Sequence, residues 1–300
     1  MKKTLLMVGC GDIALRVAPL LQNRYRILGL CRKPENFSKL RVHAITPIIG
    51  DLDLPSSLSK LAGIAQAVLH LAPPPADGLK DPRTTHLLAA LTRQPLFAKR
   101  RILPQRLIYI STSGVYGDCQ GEWVSENHPL NPTNARAIRR VDAEMQVRQW
   151  GTRNNVPISI LRVPGIYAAD RLPLARLRQG TPVLSADEDS YTNHIHADDL
   201  ARIICAALHH GKPGRIYNAS DDSHLKMGDY FDLVADSFGL PRPPRIPRHQ
   251  ARDVISPSLL SFMNESRRLT NVRIKQELHI NLLYPTVAAG IAHVAPCING

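Results

Sequence analysis

Residues 4–14 read TLLMVGCGDIA, an apolar run broken by glycines and reopened as a helix. Residues 4–8 have the short, continuous apolar character of a strand covered on both faces. From residue 12 to 22 the apolar side chains fall at helical spacing: Ile13, Val17, Leu20 and Leu21. Between the two lies Gly9-Cys10-Gly11-Asp12-Ile13-Ala14, a G-x-G-x-x-A pattern. Gly9 permits a tight turn, Gly11 lets the backbone approach a ligand, and Ala14 allows close helix–strand packing. The helix N-terminus, at Asp12 and Ile13, offers N–H groups and a partial positive charge to phosphates. Following a strand and opening a helix, this spacing points to a dinucleotide cradle.

The pattern repeats outward. RILGL (26–30), VHAITPI (42–48), QAVLHL (66–71), RLIYIS (106–111) and PISILRV (157–163) read as further strands. Segments 55–63, 85–93 and 134–150 read as helices between them. Such alternation implies an α/β fold with a doubly wound parallel (Rossmann) sheet. After about residue 165 the pattern is mixed. Helices are expected at 171–179, 197–209, 226–238, 257–267 and 271–278, with a strand at RIYNAS (215–220) returning to the sheet. The expected division is a dinucleotide-binding region over 1–165. A mixed region over 166–300 partly rejoins the sheet and partly forms a small C-terminal substrate lobe.

Composition narrows the class. Three hundred residues bury a sizeable core, and 44 % apolar residues argue against disorder. No run approaches the ~18 apolar residues of a membrane span. The N-terminal apolar stretch, interrupted by Gly9, Gly11 and Asp12, reads as a strand rather than a leader, so a cytoplasmic protein is expected. Cys10, Cys31, Cys119, Cys205 and Cys297 are scattered, with no CxxC, which argues against a disulfide framework and a metal site. The net charge is +13, yet the arginines spread along the chain. The densest patch, PRPPRIPRHQAR (241–252), is broken by proline and lacks an aromatic residue for base stacking, so it reads as a solvated loop. The expected partner is a small molecule, not nucleic acid or membrane. Monomer and homodimer both remain open.

The end of the second strand selects the cofactor. A carboxylate there would hold the 2′-hydroxyl of NAD. The chain instead has Arg32-Lys33, two cations that suit the 2′-phosphate of NADP, with NAD as the alternative. Asp51-Leu52, after the third strand, fits an adenine contact, although Asp51 equally suits a helix cap.

Further segments carry a resemblance over nearly the whole chain. HLAPP (70–74), STSGVYG (111–117), LRVPGIYA (161–168), NHIHADDLA (193–201) and YNASDD (217–222) resemble successive segments of the extended short-chain dehydrogenase/reductases of the NAD-dependent epimerase/dehydratase type. The resemblance implies cofactor contacts from Leu71, Ala72 and Pro73. It implies hydride transfer joined to a proton relay: a Ser or Thr after the fifth strand, then a Tyr-x-x-x-Lys. Thr112 matches the hydroxyl position, with Ser113 beside it. Aligned on Ala143-Glu144, the tyrosine and lysine positions fall on Arg136 and Arg140.

That departure places the chain with atypical members of the superfamily. Arginine stays protonated near neutral pH, so Arg136 cannot act as a general acid or base. It can stabilise negative charge on a substrate oxygen, and Arg140 can offer planar donors to a ribose. Read alone, Arg139, Arg140, Asp142 and Glu144 form an ordinary charged helix face, with Arg140–Glu144 an i,i+4 pair worth ~0.3 kcal/mol. Tyr116, Tyr167 and Tyr191 are expected to border the cleft, Tyr116 and Tyr167 as substrate-wall residues. His194 is a further wall residue. Asp198 and Asp199 suit the cap of the next helix.

Overall fold

The computed structural model of the chain describes residues 2–95 and 98–294, so Cys297 lies outside the described residues. The first half runs β1 (Lys3–Val8), α1 (Asp12–Leu21), β2 (Tyr25–Cys31), α2 (Phe37–Val42), β3 (Ile45–Ile49), β4 (Ala67–His70), α3 (Pro82–Thr92) and β5 (Arg106–Thr112). A short β6 (Trp123–Val124) precedes the long α4 (Ala135–Asn154), followed by β7 (Ile158–Val163) and β8 (Gly165–Tyr167). The remainder runs α5 (Leu174–Arg178), β9 (Val183–Leu184), β10 (His194–His196), α6 (Ala197–His210), β11 (Arg215–Asn218) and α7 (Met227–Ser237). It ends with β12 (Arg245–Ile246), α8 (Arg248–Val254), α9 (Pro257–Met263), β13 (Arg268–Leu269), α10 (Val272–Glu277) and α11 (Val287–Val294).

Seven strands form one parallel sheet in the order β11-β7-β5-β4-β1-β2-β3. The order reverses between β1 and β4, and ligands of such sheets bind beyond the strand ends at that reversal. Side-chain alternation explains why β1 is apolar throughout. Leu5 and Met7 join a core with Val17 and Leu21 of α1 and Ile203 of α6. Leu6 and Val8 join the opposite core with Leu87 of α3 and Val147 of α4. β11 pairs with β7, so the late strand RIYN does return to the sheet. A separate cluster containing Tyr167, Leu177, Phe231 and Met263 fills the C-terminal half.

Three local expectations need correction. The stretch 42–48 is not one strand: Val42 ends α2, Ala44 turns with φ 56°, and the strand starts at Ile45. Leu40 anchors the helix in the core, while Val42 stays exposed. The basic patch 241–252 is largely exposed, as read, but part of it is ordered as β12 and α8 and two of its arginines are paired. Arg242 pairs with Asp236 at 2.7 Å, Arg245 with Asp232 at 2.6 Å, and α8 begins at Arg248. The carboxylates lie on α7, which local sequence does not reveal. The cap of α6 is His196, whose Nδ1 accepts from the Asp198 N–H at 3.2 Å. Asp199 is buried instead and accepts from the N–H groups of Leu283 and Tyr284.

Candidate functional site

At the sheet reversal lies a cleft of about 480 Å³, within the usual range for small-molecule sites. Gly9, Gly11, Asp12, Ile13, Arg32, Lys33, Asp51, Leu52, Leu71, Ala72 and Pro73 all line it. Gly9 has φ +96°, and a Cβ there would lie 2.4 Å from the Ala72 nitrogen. Only glycine fits this turn. At Gly11 a Cβ would meet nothing within 4 Å, so the backbone faces open cleft. Gly11 also heads α1 without a side-chain cap. That leaves the helix end for a phosphate. Asp12 places a carboxylate beside this cradle, but Arg16 meets it at 3.1 Å and Arg171 at 3.4 Å. Arg16 is itself held by Asp198 at 2.6 Å. The residues present therefore fit the pyrophosphate of a dinucleotide.

At the far end, Lys39 and Asn36 join Arg32 and Lys33 around the cleft. Sequence reading missed both, because α2 brings Lys39 back from the loop. Asp51 lines the cleft while its Oδ1 accepts from the Asp53 N–H at 2.9 Å, so it serves the turn as well. Arg83 closes this side, bound to Asp53 through two hydrogen bonds of 2.6 and 2.7 Å. Cys10 and Cys31 also line the cleft, and burial pushes the Cys10 thiol up to about 12, so it is no nucleophile.

A second cleft, also about 480 Å³, holds Thr112, Ser113, Arg136, Tyr167, Tyr191 and His194. Ile166 and Arg171 line both clefts, so the two meet there. Thr112 ends β5, and its Oγ1 accepts from the Gly114 N–H at 3.2 Å. Arg136 sits in the first turn of α4, which Asn134 caps through Ala137 N–H at 2.9 Å. Desolvation lowers the Arg136 pKa, Glu265 opposes this, and Arg140 and Arg267 reinforce it.

The charged residues 139–144 of α4 do not form a solvated face. Glu144 pairs with Arg162 of β7 at 2.8 Å, both side chains 2 % exposed, rather than with Arg140. Arg162 also lies 4.8 Å over the Tyr116 ring. Arg139 donates to the Gly78 carbonyl at 2.6 Å, and Asp142 accepts from the Asp81 N–H at 2.8 Å. Arg140 lines neither cleft. Its Nη1 donates to the Ile110 carbonyl at 2.6 Å and to the Tyr109 hydroxyl at 3.1 Å. It thus braces β5 two residues before Thr112.

The tyrosines sort by what their hydroxyls do. Tyr116 is fully buried, lines neither cleft, and donates to Asn218 Oδ1 at 2.7 Å. Burial pushes its hydroxyl up to about 12. Tyr167 shows its ring to the second cleft but donates to the Thr286 carbonyl at 3.2 Å, and burial raises its pKa too. Tyr191 is half-buried in the cleft wall, with Arg268 4.7 Å over its ring. His194 is stacked on Tyr230 at 4.3 Å, and burial depresses its pKa to about 4, so the imidazole is neutral at pH 7. Asn193 ties the segment to β13, accepting from Leu269 N–H at 2.8 Å and donating to the Arg267 carbonyl.

Sequence reading missed Arg171, Arg176, Tyr230, Glu265 and Arg267, all of which line the second cleft. They come from four separate segments of the second half and carry no local motif. No group of His, Cys, Asp or Glu suited to a metal ion occurs among the described residues. No helix among them is long and apolar enough to cross a membrane.

A trifunctional UDP-glucose 4,6-dehydratase/UDP-4-keto-6-deoxy-D-glucose 3,5-epimerase/UDP-4-keto-L-rhamnose-reductase of Arabidopsis thaliana is 25 % identical over 147 residues, 45 % of this chain and 22 % of that protein. The chain thus spans well under half the length of that relative. A functionally unknown conserved protein from Silicibacter pomeroyi DSS has the same fold over 100 % of both chains, with TM-score 0.81 and 29 % identity. The UDP-glucuronic acid 4-epimerase of Bacillus cereus, solved with UDP-glucuronic acid and NAD, matches 99 % of both chains with TM-score 0.74. At 20 % identity that match speaks to fold alone. The sequence profile of the NAD dependent epimerase/dehydratase family matches residues 15–220, well over half of the chain. The chain, with its seven-stranded Rossmann-type sheet and glycine cradle, therefore belongs to the NAD dependent epimerase/dehydratase family.

Proposed function

We propose that the chain is an NAD(P)-dependent oxidoreductase or epimerase/dehydratase-like enzyme that prefers NADP and acts on a small or sugar-linked substrate. The observation that carries this reading is the meeting of a dinucleotide cradle and a Thr112-bearing cleft at Ile166 and Arg171. The sugar-nucleotide activities in the name of the Arabidopsis relative support the substrate class. Bound in the cradle, the nicotinamide would supply or accept hydride. Gly11 and the α1 N-terminus would hold the pyrophosphate of the dinucleotide, and Leu71, Ala72 and Pro73 would contact the cofactor. Arg32 and Lys33, with Lys39, would receive a 2′-phosphate.

The chain's own residues supply the rest. Thr112 accepts from Gly114 N–H, which leaves its O–H to donate to the reacting oxygen. Arg136 stabilises negative charge on that oxygen. Arg140 positions Thr112 through the Ile110 carbonyl. The proton falls to Tyr191, since Tyr116 and Tyr167 spend their hydroxyls on Asn218 and Thr286.

The test begins with fluorescence titration of NADPH and NADH. Replacing Arg32 and Lys33 by alanine is expected to weaken NADPH by about tenfold or more relative to NADH, since each charged hydrogen bond contributes about 1.5–3 kcal/mol. Equal losses would remove the NADP preference. Single-turnover absorbance of bound NADPH against sugar nucleotides then tests the chemistry. Two observations favour a second reading, a non-catalytic NADP-binding regulator or partner-binding protein: arginine stands in the tyrosine position, and Arg140 turns into the sheet. Firm NADPH binding with complete inertness across the panel selects that reading.

A further inference from the structure

The second cleft holds more positive charge than the proposed chemistry uses. Arg136, Arg171, Arg176 and Arg267 line it against one carboxylate, Glu265. Glu265 is already committed. Its Oε1 accepts from Asn134 at 2.9 Å and Thr133 at 3.2 Å, and its Oε2 pairs with Arg267 at 2.9 Å. Arg171 reaches back to Asp12.

Arg176 is held against a ring rather than by a carboxylate. It projects from α5, and its guanidinium lies 4.5 Å over the Phe231 ring. That contact offers its N–H donors no acceptor. Nε and Nη2 are enclosed and have no hydrogen-bond partner. Burial accordingly lowers its pKa. Arg267 is incomplete in the same way: Nη1 donates to the Gly117 carbonyl at 2.6 Å and to Glu265, while the buried Nε has no acceptor. The neighbouring wall is the His194–Tyr230 stack, where burial keeps the imidazole neutral at pH 7 and the phenol carries no charge. Enclosed donors of a cation are costly until an acceptor reaches them, and an oxyanion matches the guanidinium fork best.

We propose that Arg176, aided by Arg267, binds an oxyanion group of the substrate, a phosphate or a carboxylate, at the α5 side of the second cleft. This rests on the reading that the cleft takes the substrate, and it adds the residue and the charged group by which the substrate is held. Arg176 is a binding residue here, separate from Thr112 and Arg136 at the reacting end.

The test is calorimetric titration of the full chain, loaded with NADPH at low salt, with inorganic pyrophosphate and with malonate. Saturable uptake of pyrophosphate alone assigns a phosphate, malonate alone a carboxylate, and both a site that reads charge. Arg176→Gln keeps polarity and most of the length. It is expected to weaken the bound anion at least about tenfold, the loss of one charge-assisted contact, with NADPH affinity unchanged. Arg176→Lys keeps the charge and loses the fork. It carries the test if the glutamine variant fails to fold, with a threefold or greater loss expected (about 0.65 kcal/mol). Equal anion affinity in wild type and variant overturns the proposal, as does uptake of neither probe at millimolar concentration. Failure of the wild type to bind NADPH counts against the cofactor reading alone, and the same titrations without NADPH then decide Arg176.

Discussion

Adding one methyl group at each of the two cradle glycines should separate folding from binding. At Gly9, with φ +96°, an alanine pays about 1–2 kcal/mol for the left-handed backbone. Its Cβ would also lie 2.4 Å from Ala72 N, 2.7 Å from Ala72 Cα and 2.8 Å from Leu71 C. These are backbone atoms at the end of β4, so no rotamer change relieves the clash, and overpacking adds about 1–3 kcal/mol. Gly9→Ala is therefore expected to lose about 2–5 kcal/mol, or roughly 4–10 °C in Tm for a chain of this size. Gly11 is the opposite case. Its φ of −85° suits alanine, and the added Cβ meets no protein atom within 4 Å. Stability should stay within about 1 kcal/mol of wild type, since lost chain entropy and a poorer cap nearly offset. The methyl group nevertheless stands where the pyrophosphate must approach. NADPH affinity should fall about tenfold or more, read by fluorescence titration alongside thermal unfolding. Wild-type NADPH affinity in Gly11→Ala would refute the placement of the phosphates. A wild-type Tm in Gly9→Ala would refute the steric reading of the turn.

Other expectations follow from particular side chains. Glu144→Gln leaves Arg162 charged and buried without its carboxylate, so urea unfolding should show a loss of about 3–5 kcal/mol. Asp221 is buried, one of its oxygens lacks a partner, and desolvation pushes its pKa up to about 7. The folded pKa lies above the unfolded value near 4, so its contribution is fully present below about pH 4 and is lost as pH rises to about 7. Stability measured from pH 4 to 8 should fall across that window, and Asp221→Asn should flatten the slope. Tyr191→Phe should abolish turnover of bound NADPH while leaving NADPH affinity unchanged, and full turnover by this variant would remove Tyr191 as the proton carrier.

The helix NARAIRRVDAE (134–144) shows where reading by sequence stops. Its charge pattern suggests a solvated face, yet Arg139, Glu144 and Asp142 each serve a contact on a different element. The partners Gly78, Arg162 and Asp81 are 18 to 61 residues away. A helical period reports which residues share a face, but not what that face meets. The same limit applied to the basic patch at 241–252, where carboxylates on α7 neutralise the arginines. It applied again to 42–48, where burial of Leu40 favoured one more helical turn over an earlier strand.

The sequence by itself determined the sheet, the glycine cradle and the cations at the end of β2. Each is signalled by neighbours within a few residues: an unbroken apolar run, a turn only glycine can make, a helix that starts where the strand ends. Only the tertiary structure decided the second cleft. Its wall combines α5, β10, α7 and the 265–267 segment with the end of β5, brought together by burial of the C-terminal core. It also decided the two arginines of α4 differently. Arg136 faces the cleft beside Thr112, whereas Arg140, one turn on, is drawn to the Ile110 carbonyl, because a buried strand end must find donors for its oxygens.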